Sequence, residues 1–468
     1  MSEYKPYLEQ LLLKCRISVA KHHIPLLDAF VKDESNIELF NFIRKTQSIM
    51  IDKWKEKTLI EDIKAKQIVL NNGTVGKPYE FIFDFAKLQL TDIGDFMVEF
   101  DKEMGIDFTK EEKKISGVFK EAGEHIFHFN FKIKSEPAEK PFHKKEIKVI
   151  VNPDPKSLWR SDPTPTNIDY YKKDTDSAHF HFDGKKLVVA SKRGRSHAHE
   201  AKPRDDDFDF RFDEQSGFGI IAVADGAGAS KFSRKGSQIA CNSVIEYFET
   251  INNEKYIELD TEVRAYLKDQ NEETLKAISS QFITHLGSAA LLAQNKIRGE
   301  ATDKGVEIRD FSTTLIFALI KKYNSQYVIA AFWVGDGGIG IYNKKTNEVH
   351  VLGIPDSGEF AGQTRFLTMS DIFTNGAYAN RVKFKVVNDF TSLILMTDGI
   401  TDPKFQTDNN LGRIEKWNEL WADLEGDNQE NSIVDFSKPI EEVESCLMNW
   451  LDFWSPGNHD DRTIAILY

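Results

Sequence analysis

The chain of 468 residues is poor in the features that mark several specialised classes of protein. Its three cysteines, Cys15, Cys241 and Cys446, lie far apart and lack metal-ligand spacing, which argues against a disulfide framework and favours a reducing compartment. No apolar run approaches the ~20 residues that span a bilayer. Residues 1–5 do not lead into the apolar core of a signal peptide. We therefore expect a cytoplasmic protein that does not enter a membrane.

Positive charge is also scarce. The chain carries 61 basic and 74 acidic residues, a net charge of −13, and no block dense in lysine and arginine. This composition argues against a nucleic-acid-binding protein. An anionic substrate would need locally placed positive charge.

Two kinds of apolar spacing divide the N-terminal region. In residues 1–66 apolar side chains recur at helical spacing, which predicts a small helical module. In 67–151 the period changes to two, as in Phe127, Phe129 and Phe131, which predicts an antiparallel β-sandwich. The stretches 71–79, 115–119 and 122–124 resemble bacterial immunoglobulin-like domains.

Residues 152–185 contain Pro153, Pro155, Pro163 and Pro165 and little periodic order. This segment is predicted to be a linker, or a strap across the following domain. On this interpretation, a protein that starts near Lys185 should fold by itself.

From 186 to 468, short strands and helices come in separate blocks, which predicts an α+β layered sandwich rather than a doubly wound sheet. The predicted strands lie near 186–191, 218–225, 313–320, 327–335, 382–387, 392–397 and 462–467, and the helices near 233–249, 256–298, 411–424 and 438–453.

Short acidic runs stand where apolar stretches end or begin. They are Arg204-Asp205-Asp206-Asp207, Asp225-Gly226-Ala227-Gly228, Thr397-Asp398-Gly399 and Asp460-Asp461-Arg462-Thr463. The end of a buried strand is a rigid place from which to hold a side chain. If these ends converge, several carboxylates share one pocket, and they stay ionised only with compensating positive charge. A divalent metal ion is the natural compensation.

These runs resemble the motifs of the PP2C-type metal-dependent protein serine/threonine phosphatases. Asp225-Gly226-Ala227-Gly228 is similar to the family's DGxG, Thr397-Asp398-Gly399 to its TDG, and Asp460-Asp461-Arg462-Thr463 to its DN-x-T ending. Gly335-Asp336-Gly337 is similar to the GDS-type turn, and Asp206 fits the first acidic motif. Five elements in the family's order are a much stronger signal than any single Asp-Gly pair.

The resemblance implies an α-β-β-α sandwich over 186–468 with a two-metal site. Asp225 would bridge both ions, the Gly226 carbonyl would serve one, Asp398 and Asp460 would complete the other, and Asp206 would act largely through bound water. Asp336 would help Asp398 to hold a looser third ion. Hard oxygen ligands without a histidine or cysteine cluster favour Mg²⁺ or Mn²⁺ over zinc.

The chain departs from the family where the phosphate is gripped. Many members carry an arginine a few residues before the first acidic motif, whereas here Gly194-Arg195-Ser196-His197 offers histidine. His197 is the first candidate for phosphate binding, and Arg193 is the second. Alternatively, this charged loop is simply solvated.

The resemblance implies hydrolysis of phosphoserine or phosphothreonine in proteins by attack of a metal-bridging water. The N-terminal domains would recruit a substrate or partner, and a kinase or a von Willebrand A-like protein is the expected partner. Two alternatives stay open: a phosphatase fold that binds a phosphorylated partner without hydrolysing it, and a small-molecule phosphoesterase.

Overall fold

Near residue 66, where the spacing of apolar residues changes, a long helix ends and the β-strands follow. The structure, a computed structural model, describes residues 3–100, 103–251, 253–353, 355–356 and 364–468. The chain divides into two compact units, Met1–Leu158 and Trp159–Tyr468. Within the described residues, no helix is long and apolar enough to cross a membrane.

The described residues of the first unit form three α-helices followed by seven strands. These are α1 (Tyr4–Lys14), α2 (Ile24–Phe30), α3 (Glu34–Ala65), β1 (Gly73–Thr74), β2 (Pro78–Ile82), β3 (Ile93–Phe100), β4 (Ile106–Thr109), β5 (Lys114–Val118), β6 (Gly123–Ile133) and β7 (His143–Asn152).

Two sheets of the first unit share one core. Their strand orders are β1-β7-β6-β3 and β2-β5-β4. Alternate residues of β6, Phe127, Phe129 and Phe131, are fully buried in this core, as the period of two predicts. Ile60 and Ile63 from the end of α3 join the same core, so the predicted boundary at residue 66 lies inside one packed unit.

The second unit supplies the remaining elements. They are β8 (Thr175–Phe182), β9 (Lys185–Lys192), α4 (Arg195–His199), β10 (Asp207–Asp213), β11 (Phe218–Ala224), α5 (Ser233–Thr250), α6 (Asn253–Lys268), α7 (Glu272–Lys304), β12 (Leu315–Tyr323), β13 (Gln326–Val334), β14 (Gly338–Asn343), β15 (Glu348–Val351), β16 (Val382–Val387), β17 (Ser392–Met396), α8 (Asp398–Phe405), α9 (Ile414–Leu424), α10 (Ile440–Trp450) and β18 (Arg462–Leu467).

Two antiparallel sheets form the centre of this unit, with strand orders β10-β11-β12-β13-β16 and β15-β14-β17-β18-β9-β8. Strand β18 is buried on both faces: Ala465 and Leu467 pack between the sheets, whereas Ile464 and Ile466 pack against the layer of α9 and α10. Helices α5, α6 and α7 cover the other sheet. The predicted α+β layered sandwich is therefore confirmed, and its central strands, such as β11, β17 and β18, are continuous apolar runs because both of their faces are buried.

One predicted helix is two. The apolar pattern of 256–298 continues through both α6 and α7, but the chain breaks between them because Asn271 caps α7. The Asn271 side chain accepts hydrogen bonds from the backbone N–H groups of Glu273 and Thr274. The spacing of apolar residues alone does not reveal such a break between two helices.

The predicted linker extends too far. Strand β8 lies inside 152–185 and pairs with β9 along its whole length. Its Phe182 packs over Gly219 so closely that a Cβ there would lie 1.6 Å from the ring. Tyr170, also in the predicted linker, packs on the core beside α5 and donates a hydrogen bond to Glu300. The segment from Trp159 onward therefore belongs to the second unit.

This packing reverses the expectation for a truncated protein. A chain that starts at Trp159 should fold, whereas one that starts at Lys185 should be insoluble or should melt at a clearly lower temperature. The second protein loses β8 and the ring of Phe182, and removing a buried phenylalanine side chain alone costs about 3–5 kcal/mol. Thermal denaturation of the two proteins checks this. Equal stability of the two would show that β8 is dispensable.

Candidate functional site

The predicted aspartates converge at one end of the paired sheets. Asp206 precedes β10, Asp225 follows β11, Asp336 lies between β13 and β14, Asp398 follows β17, and Asp460 precedes β18. Carboxylate oxygens of Asp225, Asp336 and Asp398 lie within 4.8 Å of one another. The chain thus brings these acidic motifs together from five separate places.

Two threonines hold the buried Asp206 carboxylate. Its Oδ2 accepts hydrogen bonds from Thr397 Oγ1 at 2.9 Å and from Thr463 Oγ1 at 2.7 Å. The Thr463 backbone N–H donates to Thr397 Oγ1 at 3.0 Å, which ties β17 to β18. Sequence reasoning quoted both threonines within motifs but gave neither a role. Their function is to aim Asp206.

Backbone contacts fix two further motifs. The Asp225 N–H donates to Thr314 Oγ1 at 2.9 Å, and the Asp225 carbonyl accepts from the Thr314 N–H at 2.8 Å. Gly226 forms an isolated bridge with Thr313. Gly399 lies so near the next motif that a Cβ would be 1.9 Å from the Asp461 carbonyl oxygen. The glycine of Thr397-Asp398-Gly399 is therefore required by close approach.

The clustered aspartates are difficult to ionise, because they are buried and lie close to other carboxylates. Burial raises the pKa of Asp206 to about 7, and the neighbouring Asp461 adds to the shift. Burial and then Asp398 raise the pKa of Asp225 well above its ordinary value, and burial and then Asp336 do the same for the pKa of Asp398. The pKa of Asp460 is raised as well, first by burial and then by Asp461. Without cations, the cluster retains protons near neutral pH.

These residues fit divalent cations that prefer oxygen. Oδ1 of Asp206, Asp336 and Asp398 is buried and has no hydrogen-bond partner in the described part of the chain. An unsatisfied carboxylate oxygen is costly inside a protein, and a cation satisfies it. The donor set of carboxylates matches Mg²⁺ or Mn²⁺. The other oxygen of Asp336 accepts from Thr364 Oγ1, so Asp336 keeps one oxygen for an ion.

His197 lies in this pocket as one half of a buried ion pair. Its Nδ1 is 3.0 Å from Asp461 Oδ2, its Nε2 is 3.8 Å from Asp205 Oδ2, and only 8% of the residue is exposed. Burial opposes protonation, but Asp461 and then Asp205 outweigh it and raise the pKa of His197 to about 9. The reading of this histidine as part of a solvated loop is therefore wrong.

Asp461 is the residue that sequence reasoning missed. Its Oδ1 accepts from the Gly194 N–H at 2.6 Å, and its Oδ2 accepts from the Asp205 N–H and from His197. Burial would raise the pKa of Asp461, but His197 and these N–H groups outweigh burial and lower it. The doubled aspartate of Asp460-Asp461 was the available signal. Asp460 faces the aspartate cluster. Asp461 connects the start of β18 with the segment that contains Gly194 and His197 and with the segment that contains Asp205.

Arg193, the second candidate for phosphate binding, has its guanidinium engaged in other contacts. Its Nη1 donates to Thr164 Oγ1 at 2.6 Å and to the Lys202 carbonyl at 3.1 Å, and its Nη2 donates to the Asp162 carbonyl at 2.8 Å. Nη2 also pairs with Asp174 at 3.1 Å. The guanidinium fastens residues 162–174 to the rest of the second unit, and its hydrogen bonds go to that segment and to Lys202 rather than to the clustered aspartates.

The two aspartates beside Asp206 are buried rather than on the surface. Asp205 is 7% exposed, and Asp207 pairs with Lys172 at 2.8 Å. The Lys172 ammonium also donates to the Asp206 carbonyl at 2.9 Å. The segment 159–174 therefore contributes a positive charge directly behind the cluster.

The family model of protein phosphatase 2C matches residues 193–437 of the chain. The chain belongs to the protein phosphatase 2C family. The match includes the motifs of His197, Asp206, Asp225, Asp336 and Asp398. No curated protein sequence shows significant similarity to the chain.

Several solved structures of phosphatases are similar to it. A bacterial serine phosphatase is 15% identical, with 61% of this chain and 97% of that chain covered and a TM-score of 0.34. PppA, a key regulatory component of T6SS in Pseudomonas aeruginosa, is 15% identical, with 63% and 96% covered and a TM-score of 0.33. The catalytic domain of the serine threonine protein phosphatase PstP, in complex with two manganese ions, is 13% identical, with 60% and 97% covered and a TM-score of 0.34. The family assignment rests on the family model.

Asp225→Asn and Asp398→Asn should each abolish metal-dependent hydrolysis and leave the fold intact. Removing one carboxylate weakens cation binding but relieves repulsion, so the melting temperature without metal should hold or rise. Phosphoester hydrolysis and thermal denaturation of metal-free protein measure both effects. Asp303→Asn, on the exposed face of α7, is the matched control. Wild-type turnover in either variant would contradict a functional role for the cluster.

The His197–Asp461 pair should stabilise metal-free protein below a defined pH. The pKa of His197 is raised from 6.5 to about 9, so the stabilisation is complete below ~6.5 and disappears as the pH rises through ~9. Such a shift corresponds to on the order of 3 kcal/mol. His197→Gln should remove this decline from the pH profile of the unfolding free energy. An unchanged profile in that variant would show that the pair contributes nothing.

Proposed function

We propose that the chain hydrolyses phosphoserine and phosphothreonine esters in proteins with the help of two Mg²⁺ or Mn²⁺ ions. Asp206, Asp225, Asp398 and Asp460 would hold these ions together with the Gly226 carbonyl. Asp336 would share a third, weaker ion with Asp398. The observation that carries the proposal is a cluster of carboxylates in which several buried oxygens lack hydrogen-bond partners within the described residues and the pKa values are raised.

When bound, the ions supply a nucleophilic water at neutral pH and positive charge for the phosphoryl oxygens. The protein's own part is positioning. Thr397 and Thr463 aim Asp206, and backbone bonds to Thr314 fix Asp225, so the carboxylates need little rearrangement to receive cations. The chain as a whole carries a net charge of −13 and repels a phosphate group. The attraction for the phosphate would therefore come from the bound ions and from a positively charged side chain nearby.

His197 supplies that local cation in our proposal. Its raised pKa of about 9 keeps the imidazole protonated at neutral pH. Its Nε2 faces the Asp225-Gly226-Ala227-Gly228 loop, since a Cβ on Gly228 would lie 3.9 Å from this atom. Asp461 holds the other ring nitrogen and fixes the ring. An imidazolium in this position can donate to a phosphate oxygen, as arginine does in many members of the family.

The first unit would recruit a phosphoprotein substrate or a partner, and a kinase or a von Willebrand A-like protein is the partner that we propose. We also propose an immunoglobulin-like sandwich for residues 67–151.

We propose a cytoplasmic location for the protein. The described cysteines are free thiols, which supports this location.

The decisive experiment compares a phosphothreonine peptide with p-nitrophenyl phosphate, with Mn²⁺ and with chelator. Both substrates should be hydrolysed with Mn²⁺, the peptide with the higher kcat/KM, and chelator should stop both reactions. Hydrolysis of the small ester alone would favour a small-molecule phosphoesterase. Binding of the peptide without hydrolysis would favour a phosphate-binding module and overturn the proposal.

The contribution of His197 is tested separately. His197→Ala should raise KM and remove the loss of substrate affinity that the wild type shows as the pH approaches 9. His197→Arg should keep activity at higher pH, because the guanidinium stays charged. An unchanged KM and pH profile in His197→Ala would contradict phosphate binding by this residue and leave the metal site untouched.

A further inference from the structure

A stretch of α3 is exposed on every side. All residues from 44 to 55 are exposed, although Ile49, Met50, Ile51 and Trp54 are large and apolar. Their exposed fractions run from 46% for Ile49 to 68% for Trp54. Helices in proteins owe most of their stability to a packed apolar face. Exposed apolar side chains that share one side of such a helix mark an interaction surface.

The two sides of α3 differ in what they contact. Phe40 is buried against α1 and α2, where it meets Leu8, Leu27 and Val31. On the other side, Phe42 and Ile49 point in nearly the same direction, because seven residues turn an α-helix by about 700°, which is about 20° short of two full turns. Phe42 is 68% exposed. Leu39, 60% exposed, lies about 60° away on the same side.

The charges along this exposed face are self-complementary. Glu34 and Glu38 lie before the apolar residues, and Lys53 and Lys57 lie after them. These four side chains form no ion pair with the described part of the chain. In an antiparallel pair of helices whose centre lies between residues 45 and 46, Phe42 of one copy is level with Ile49 of the other. The same register sets Glu38 opposite Lys53, and Glu34 opposite Lys57.

We propose that the chain forms a homodimer in which the exposed faces of two α3 helices pack antiparallel about a two-fold axis. A two-fold axis requires a surface that complements itself, and the acidic–apolar–basic order along α3 provides one. The paired stretch 34–57 is about 36 Å long, at 1.5 Å per residue. Opposite charges at both ends fix the register. The dimer would carry two phosphatase units.

The mass of the full-length protein in solution, from light scattering after size exclusion, tests the proposal. The wild type should have twice the chain mass of 53.5 kDa. Phe42→Glu and Ile49→Glu should each raise the dimer dissociation constant by at least about tenfold, because each places unpaired charges in the apolar contact. Ile51→Glu is the matched control, since Ile51 is 54% exposed, between Ile49 and Phe42, but lies on the opposite side of α3, and this variant should stay dimeric.

Charge exchange tests the antiparallel register. Glu38→Lys should weaken the dimer, and Glu38→Lys combined with Lys53→Glu should restore it, because the pairs form again with reversed sign. All variants should hydrolyse p-nitrophenyl phosphate as the wild type does, which separates this result from that of the phosphatase site. A monomeric wild type would overturn the proposal. So would a dimer that survives both Phe42→Glu and Ile49→Glu, or one that the double exchange fails to restore.

Discussion

The arrangement of the second unit depends on the burial of several carboxylates at one end of its two packed sheets. Each carboxylate costs free energy there, because burial and like-charge repulsion both oppose ionisation. The protein offsets part of the cost with fixed donors: two threonine hydroxyls on Asp206, and backbone N–H groups with His197 on Asp461. Within the described residues, Oδ1 of Asp206, Asp336 and Asp398 keeps no hydrogen-bond partner, and carboxylate oxygens of Asp225, Asp336 and Asp398 lie within 4.8 Å of one another. Divalent cations would neutralise the negative charge that these donors leave uncompensated.

The rest of the second unit serves to keep these groups in place. Strands β11, β13, β17 and β18, which have an end beside the cluster, are buried along nearly their whole length, and close packing of this kind holds the strand ends in place. The segment 159–174 adds Lys172 behind Asp206 and is itself fastened by Arg193. Trp159, where this unit begins, packs against His459, the residue directly before Asp460, with ring centres 4.3 Å apart and ring planes inclined by 53°. The start of the second unit and the aspartate cluster therefore share one packed region.

Much of the architecture was predictable because buried strands leave plain apolar runs, and the predicted strands at 218–225, 327–335 and 462–467 are confirmed. Strand β8 was missed because its burial pattern is largely exposed and carries no such signal. The convergence of the aspartates followed from their places at strand ends. The pairing of Asp461 with His197 did not, because residues 264 positions apart meet only through the sheet order. The role of Arg193 was hidden for the same reason, since its partners lie in a segment without periodicity.

The central claim is that this cluster exchanges protons for divalent cations. Calorimetric titration of metal-free protein with Mn²⁺ at neutral pH, in two buffers that differ in ionisation enthalpy, measures the protons released on binding. Because the pKa values of Asp225 and Asp398 are well above the ordinary aspartate value, we expect binding of at least two ions with release of more than one proton per chain. Binding without proton release, or no binding, would contradict the account.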